Sequence, residues 1–341
     1  MNKIIVTLMI QTDILIVGAG PVGLFAVFEA GLLKLRCHLV DALPIPGGQC
    51  SELYPKKPIY DIPGFPSVLA GELIDNLMKQ IEPFKPGFTL GERVNSIEKT
   101  EEGFILTTNK GTTISAPVVC IAGGLGSFEP RKPQLDRLIE FEDKGVNYFV
   151  KDPEMFRDKD VVIAGGGDSA LDWTINLQPI TKSISLIHRS KFFRGAPDSV
   201  DKVTSLAERG LISLYLDSEV TKLNGTSVLE SLEIAIKDQD SKTVNVDNFI
   251  PLFGLSPKLG PIADWELTLE KNFIKVDPLT FETSTKGIYS IGDICDYPGK
   301  LKLILSGFHE GAMMAHAAYH QMFPDKKLIM KYTTIAGVTG F

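Results

Sequence analysis

The chain has 341 residues, of which 44% are apolar and 23% charged; that length suggests two domains, and the balance excludes extended disorder. Its 35 Lys and Arg against 42 Asp and Glu give a formal charge of -7, which argues against nucleic acid as the main partner, because phosphate backbones need a basic footprint. Cys37, Cys50, Cys120 and Cys295 are scattered without CxxC or metal-ligand spacing, and read as buried thiols of a cytoplasmic protein rather than a disulfide framework or a metal centre.

The apolar stretch Ile4 to Ile10 is too short to span a bilayer and lacks a small-residue cleavage site, so it reads as a tail, or as sequence upstream of a start at Met9. The fold is expected to begin near Thr12. Ile14 to Val17 is a continuous apolar run ending in glycine, the pattern of a buried parallel strand. A helix over Pro21 to Leu33 and a strand over Cys37 to Val40, ending in Asp41, complete one βαβ unit. Gly91 to Thr108 carries alternating apolar residues, and Val118 to Ala122 reads as a strand. The βαβ pattern then returns as strand Asp160–Ala164, helix Asp168–Leu177 and strand Ser183–Ile187. Leu211 to Ile236 alternates as antiparallel strands do, with a turn expected at Asn224-Gly225. Asn248 to Phe253 resembles the earlier strand at 118–122. The expected fold class is α/β, with two Rossmann-like three-layer domains, the second inserted into the first. Residues 1–11 form the tail, 12–124 with 250–341 the first domain, and 125–249 the second.

Each βαβ unit opens on a phosphate-binding glycine loop. In the first, Gly18 allows the tight turn, Gly20 lets backbone approach a pyrophosphate, and Gly23 permits close helix–strand packing. Asp41 stands at the distance expected of a carboxylate that binds a ribose hydroxyl. The second loop runs Gly165-x-Gly167-x-x-Ala170, with Asp168 and Ser169 within it at the helix start, where they are candidates for capping and for pyrophosphate contact. After its second strand come His188, Arg189, Lys191 and Arg194 in place of a ribose-binding carboxylate. Cations there suit a 2′-phosphate, so the second loop favours NADP over NAD, a solvated basic turn being the alternative. His188 reads as a packing or adenine-side residue, since hydride transfer needs positioning rather than a general base.

Gly47-Gly48-Gln49-Cys50, the second loop, His188-Arg189 with Arg194, and Gly292-Asp293 together resemble the flavoprotein disulfide reductases, most closely the small thioredoxin reductases. That resemblance covers nearly the whole chain from Thr12. It implies FAD on the first loop, NADPH on the second, Asp293 on the flavin ribityl chain and Gln49 against the flavin. The redox-active Cys-x-x-Cys of that family is absent: Phe149 and Asp152 stand at its two cysteine positions. Neither can act as a dithiol.

Gly48 to Pro55, Ile59 to Pro66, Phe128-Glu129-Pro130-Arg131, Gly307 to Ala312 and Lys331-Tyr332-Thr333-Thr334 are instead similar to the thioredoxin-reductase-like ferredoxin–NADP reductases. By that resemblance Tyr54 and Tyr332 sandwich the isoalloxazine, with Thr333 or Thr334 near N5. Val94 and Phe128 are further candidates for cofactor contact. The implied activity is hydride transfer between NADPH and flavin N5, with single electrons exchanged with ferredoxin or flavodoxin. The resemblance also implies a homodimer, and a domain rotation that brings nicotinamide to flavin. Lys56, Lys57, Lys300, Lys302, Lys326, Lys327 and Lys331 are candidates for a cationic rim that steers an acidic carrier, or are ordinary surface lysines. An oxidase or diaphorase, and a flavin-bound sensor without turnover, are the competing readings.

Overall fold

The computed structural model describes residues 9–126, 129–256, 258–328, 334 and 337–341, the side chains of Glu129 and Ser256 excepted. The chain forms two compact units, Met1–Ser127 with Pro257–Phe341, and Phe128–Ser256.

The first unit is built on a five-stranded parallel sheet in the order Ile288–Ser290, Val118–Ile121, Ile14–Val17, Cys37–Asp41, Gly87–Leu90. Ile14, Leu15 and Ile16 are fully buried. A parallel strand covered on both faces has no solvent side, which is why its sequence is continuously apolar rather than alternating. A second sheet orders Ile10–Gln11, Thr113–Ala116, Gly103–Thr108 and Val94–Thr100. Its last two strands form the hairpin behind the alternation after Gly91, while Ile10–Gln11 pairs in parallel with Thr113–Ala116. The sheet therefore begins inside the stretch expected to be a tail.

Helix Pro21–Leu32 runs from the first glycine loop, with Pro21 at a first-turn position where its missing N–H costs nothing. The long helix Ile304–Met322 crosses it at close range. A Cβ on Gly307 would stand 2.3 Å from a Val22 methyl, and one on Gly311 would touch Ala26 at 3.5 Å. Two glycines four residues apart thus leave a shallow stripe that lets the helices approach. Helix Ala70–Ile81 buries Ala70, Leu73, Ile74, Leu77 and Ile81, the spacing of one amphipathic face.

The second unit carries a parallel sheet in the order Ser213–Tyr215, Ser183–Ile187, Asp160–Ala164, Asn248–Pro251, with helices Asp168–Leu177 and Pro197–Glu208. An antiparallel sheet, Ser218–Gly225, Leu229–Ile236 and Lys242–Asn245, accompanies it. Two expectations are corrected here. Ser213–Tyr215 joins the parallel sheet instead of the antiparallel one. Asn224-Gly225 is not the hairpin turn: both residues lie in the strand at a register shift, and the reversal falls at 226–228. An Asn-Gly pair also suits a bulge, where an extra residue increases local twist.

Candidate functional site

In the first loop the three glycines have different physical tasks. Gly18 has φ +113°, and a Cβ there would sit 2.4 Å from the Ala122 carbonyl oxygen. A Cβ on Gly23 would sit 2.1 Å from the Gly18 oxygen, so strand, turn and helix meet without room for side chains. Gly20 faces open space. It is the N-cap of helix Pro21–Leu32, with no side-chain cap and no acidic residue in the first turn. Uncapped N–H groups at the positive end of a helix beside an open backbone suit a pyrophosphate.

Asp41, at the end of its strand, accepts from Ala19 N–H at 2.7 Å and from Leu43 N–H at 2.9 Å. Burial pushes its carboxyl above the ordinary range and the two N–H bonds pull it back. The carboxylate thereby also braces the loop, while keeping further acceptor capacity for a hydroxyl. The Gly47-Gly48 turn is tied to the same loop: Gly47 N–H donates to the Ala19 carbonyl at 2.8 Å, and a Cβ on Gly48 would approach Gly20 Cα at 3.2 Å. Gln49 follows, half-buried, with its amide nitrogen 3.7 Å from where Gly124 would carry a Cβ.

Tyr54 is half-buried beside the Cys50 thiol, while the Lys57 ammonium lies 5.9 Å above its ring. Desolvation raises the Tyr54 hydroxyl pKa most, and the Cys50 and Asp293 charges add to the rise. Asp293 therefore belongs to the same neighbourhood. It sits in the 3-10 turn Gly292–Ile294, and Gly292 lies 3.6 Å (from its would-be Cβ) from Val22 at the start of the first helix. Burial raises the Asp293 carboxyl pKa, Lys300 and Lys302 lower it, and Glu310 raises it again. Gly20, Asp41, Gln49, Tyr54 and Asp293 are thus gathered around one end of the parallel sheet. Ligands of open α/β sheets lie at such carboxyl ends.

Val94 begins its strand with its side chain buried in the core, which leaves its backbone for any cofactor contact. Thr334 is exposed. Phe128, Lys331, Tyr332 and Thr333 lie outside the described residues.

The second loop repeats the construction. Gly165, with φ +156°, would place a Cβ 2.6 Å from the Leu252 oxygen, Gly167 faces open space, and Ala170 is buried. Gly167 is the N-cap of helix Asp168–Leu177, without a side-chain cap. The expected cap at Asp168 is not formed: its carboxylate accepts from Ala196 N–H at 2.7 Å, and Asp168 and Ser169 are exposed in the first turn. That bond, with Arg194 N–H donating to the Gly166 oxygen at 2.7 Å, folds the cationic segment over the loop.

His188 is buried, stacks on Phe193 at 5.1 Å and pairs through Nε2 with the Phe192 carbonyl at 3.1 Å. Its pKa is lowered mainly by burial, so it is a packing residue against Gly166, where a Cβ would clash with its ring. Arg189 and Arg194 are exposed, and both lie close enough for their charges to depress its protonation.

Phe149, at one of the two positions where a dithiol would stand, is half-buried. Asp152, at the other, accepts from Glu154 N–H at 3.1 Å and caps the turn Pro153–Phe156. All four cysteines are buried and unpaired, with burial pushing Cys50 up to about 11 and Cys295 up to about 12. No group of metal-ligating side chains is present among the described residues, and none of their helices is long and apolar enough to cross a membrane.

One cluster went unread in the sequence. Glu310 is fully buried and Lys300, expected on a surface rim, forms a buried ion pair with it, the Lys300 side chain being 2% exposed. Lys56, Lys302, Lys326 and Lys327 are exposed and Lys57 is half-buried. The signal for Glu310 was its place on the stripe Gly307, Glu310, Gly311, Met314, where a carboxylate needs a partner.

The family model for pyridine nucleotide-disulphide oxidoreductases matches residues 12–321. Ferredoxin--NADP reductase 1 of Christiangramia forsetii is 64% identical over 337 residues, covering 98% of this chain and 96% of its own. Ferredoxin--NADP reductases of Flavobacterium johnsoniae and Bradyrhizobium sp. are 62% and 52% identical, over 98% and 95% of this chain and 95% of each relative. Among solved structures, T. acidophilum thioredoxin reductase superposes with a TM-score of 0.80 at 25% identity, covering 92% of this chain and 99% of that one. The bacillithiol disulfide reductase of Staphylococcus aureus gives 0.75 at 18% identity, covering 94% and 100%, a likeness of fold alone. With both glycine loops built for dinucleotides and relatives this similar over nearly their whole length, the chain belongs to the pyridine nucleotide-disulphide oxidoreductase family, among its ferredoxin–NADP reductases.

Proposed function

We propose that the protein is an FAD-dependent ferredoxin–NADP reductase. The observation that carries this reading is the pairing of two uncapped glycine loops with the loss of the dithiol, in a chain 64% identical to a ferredoxin--NADP reductase. Bound FAD supplies the chemistry that side chains lack, taking up two electrons as hydride and returning them singly.

The chain's own residues bind and orient. Gly18, Gly20 and Gly23 shape the pyrophosphate cradle for FAD, Asp41 takes a ribose hydroxyl, and Asp293 takes the ribityl side. Gln49 and Tyr54 border the isoalloxazine, where the Tyr54 ring excludes water from one face; Tyr332 on the other face, Thr333 and Thr334 complete the reading. Gly165, Gly167, Asp168 and Ser169 cradle the NADPH pyrophosphate, and Arg189 with Arg194 grip its 2′-phosphate. Phe149 and Asp152 supply no thiol, so electrons pass to an external one-electron carrier, ferredoxin or flavodoxin, steered by the exposed lysines. The assembly is a cytoplasmic homodimer in this reading, which sedimentation at twice the chain mass would support. Anaerobic titration with NADPH is expected to bleach the flavin absorption near stoichiometrically. A flavin left oxidised by excess NADPH would refute the relay and favour a sensor.

A further inference from the structure

We propose that the buried pair Lys300–Glu310 is the positioning device that holds the Gly292–Ile294 turn and thereby aims Asp293 at bound FAD; this rests on the reading of Asp293 above. Glu310 lies at the crossing of helix Ile304–Met322 on helix Pro21–Leu32, where it is fully buried. Each of its oxygens is occupied. Oε2 accepts from Gly292 N–H at 2.7 Å and stands 3.8 Å from the Cys295 thiol. Oε1 accepts from the Tyr297 hydroxyl at 2.7 Å and from the Lys300 ammonium.

A buried ion pair is weak support for stability, because desolvation of both charges offsets their attraction. Direction is what this one supplies. Gly292 has φ +77°, a backbone that only glycine adopts without strain. Its N–H is fixed by Glu310 and its carbonyl accepts from the Cys295 thiol at 3.2 Å. Gly292, the residue that precedes Asp293, is thereby held through both of its flanking peptides, and its Cα faces Val22 at the mouth of the first loop. The two charges also act on Asp293 with opposite signs, Lys300 favouring the carboxylate and Glu310 opposing it. Of the two, Lys300 acts the more strongly on Asp293.

Glu310→Gln keeps the shape but has one acceptor oxygen where the carboxylate uses two, so either Gly292 N–H or the Tyr297–Lys300 side faces an amide donor. FAD release from the full-length holoprotein, followed by flavin fluorescence, gives the readout, with Asp293→Asn and the combined variant alongside. Glu310→Gln is expected to weaken FAD binding about tenfold and to alter the flavin circular dichroism. In the Asp293→Asn background the same change is expected to add less than twofold, because its route runs through Asp293. A full tenfold loss in that background overturns the proposal, as does an unchanged affinity in Glu310→Gln when Asp293→Asn alone is weakened. An Asp293→Asn protein that binds FAD normally overturns the underlying reading and the proposal with it. The combination Lys300→Met with Glu310→Gln, which buries no unpaired charge, carries the same test if the single variant folds poorly.

Discussion

Replacing Arg189 and Arg194 with Ala is expected to separate NADPH from NADH. Both guanidinium groups are exposed, and the segment that carries them is held over the second glycine loop by Arg194 N–H and by Asp168. The neighbouring Lys191 is drawn to Asp217 at 3.8 Å, so the two arginines are the better placed cations for an added phosphate. A hydrogen bond to a charged group contributes about 1.5–3 kcal/mol net, and exposure favours the lower end. At 1.4 kcal/mol per factor of ten, each single replacement raises the NADPH KM about tenfold. The two side chains share one ligand group, so the double variant falls between about tenfold and about 100-fold. NADH has no 2′-phosphate, and its KM is expected to change by less than about twofold by the same reasoning. Steady-state kinetics with an artificial one-electron acceptor measure both constants without involving the carrier protein. An equal rise for both nucleotides would refute the assignment of these arginines to the 2′-phosphate.

Glycine exchanges should divide by role. Gly20→Ala meets open space and is expected to leave the melting temperature nearly unchanged while weakening FAD binding, whereas Gly18→Ala meets the Ala122 oxygen at a left-handed φ and is expected to fold poorly; calorimetry on both, with equal losses, would contradict the distinction. Glu310→Ala strands the buried Lys300 ammonium, a change that costs about 3–5 kcal/mol and a large share of a total of about 5–15 kcal/mol. Thermal unfolding that is unshifted would show that water already reaches the pair. For pH, burial depresses His188, and also His38 and His316, below the ordinary 6.5. Groups held neutral in this way contribute stability that is present above 6.5 and lost as pH falls through their folded values. The melting temperature should therefore drop on acidification from pH 7 toward pH 5, and less steeply in His188→Asn; an identical slope would remove His188 from the account.

Both βαβ units were legible to within a residue at their ends, because a strand covered on two faces is largely apolar and a glycine loop marks where it turns into its helix. Ile14–Val17, Asp160–Ala164, Asp168–Leu177 and Ser183–Ile187 have the bounds that pattern predicts. The short strand Ser213–Tyr215 was misread since three residues carry almost no period, and its pairing is decided by the neighbour Ser183–Ile187 rather than locally. Asn224-Gly225 misled for a related reason: the dipeptide permits either turn or bulge, and the register of the partner strand selects the bulge. At the site, the glycines and Asp41 were readable because their tasks are backbone tasks fixed by short spacing. Lys300 and Glu310 were not. A lysine after Pro298-Gly299 looks solvated until the helix that carries Glu310 is packed across it, and that contact spans ten residues and a crossing of two helices.

Electrons are expected to leave singly to a carrier protein and not through a dithiol. The most direct measurement compares NADPH-dependent cytochrome c reduction through added ferredoxin with reduction of a disulfide through added thioredoxin, using one enzyme preparation. The rate is expected to rise and saturate with ferredoxin, and to stay at background with thioredoxin. Thioredoxin-dependent disulfide reduction, or cytochrome c reduction indifferent to ferredoxin, would contradict this route.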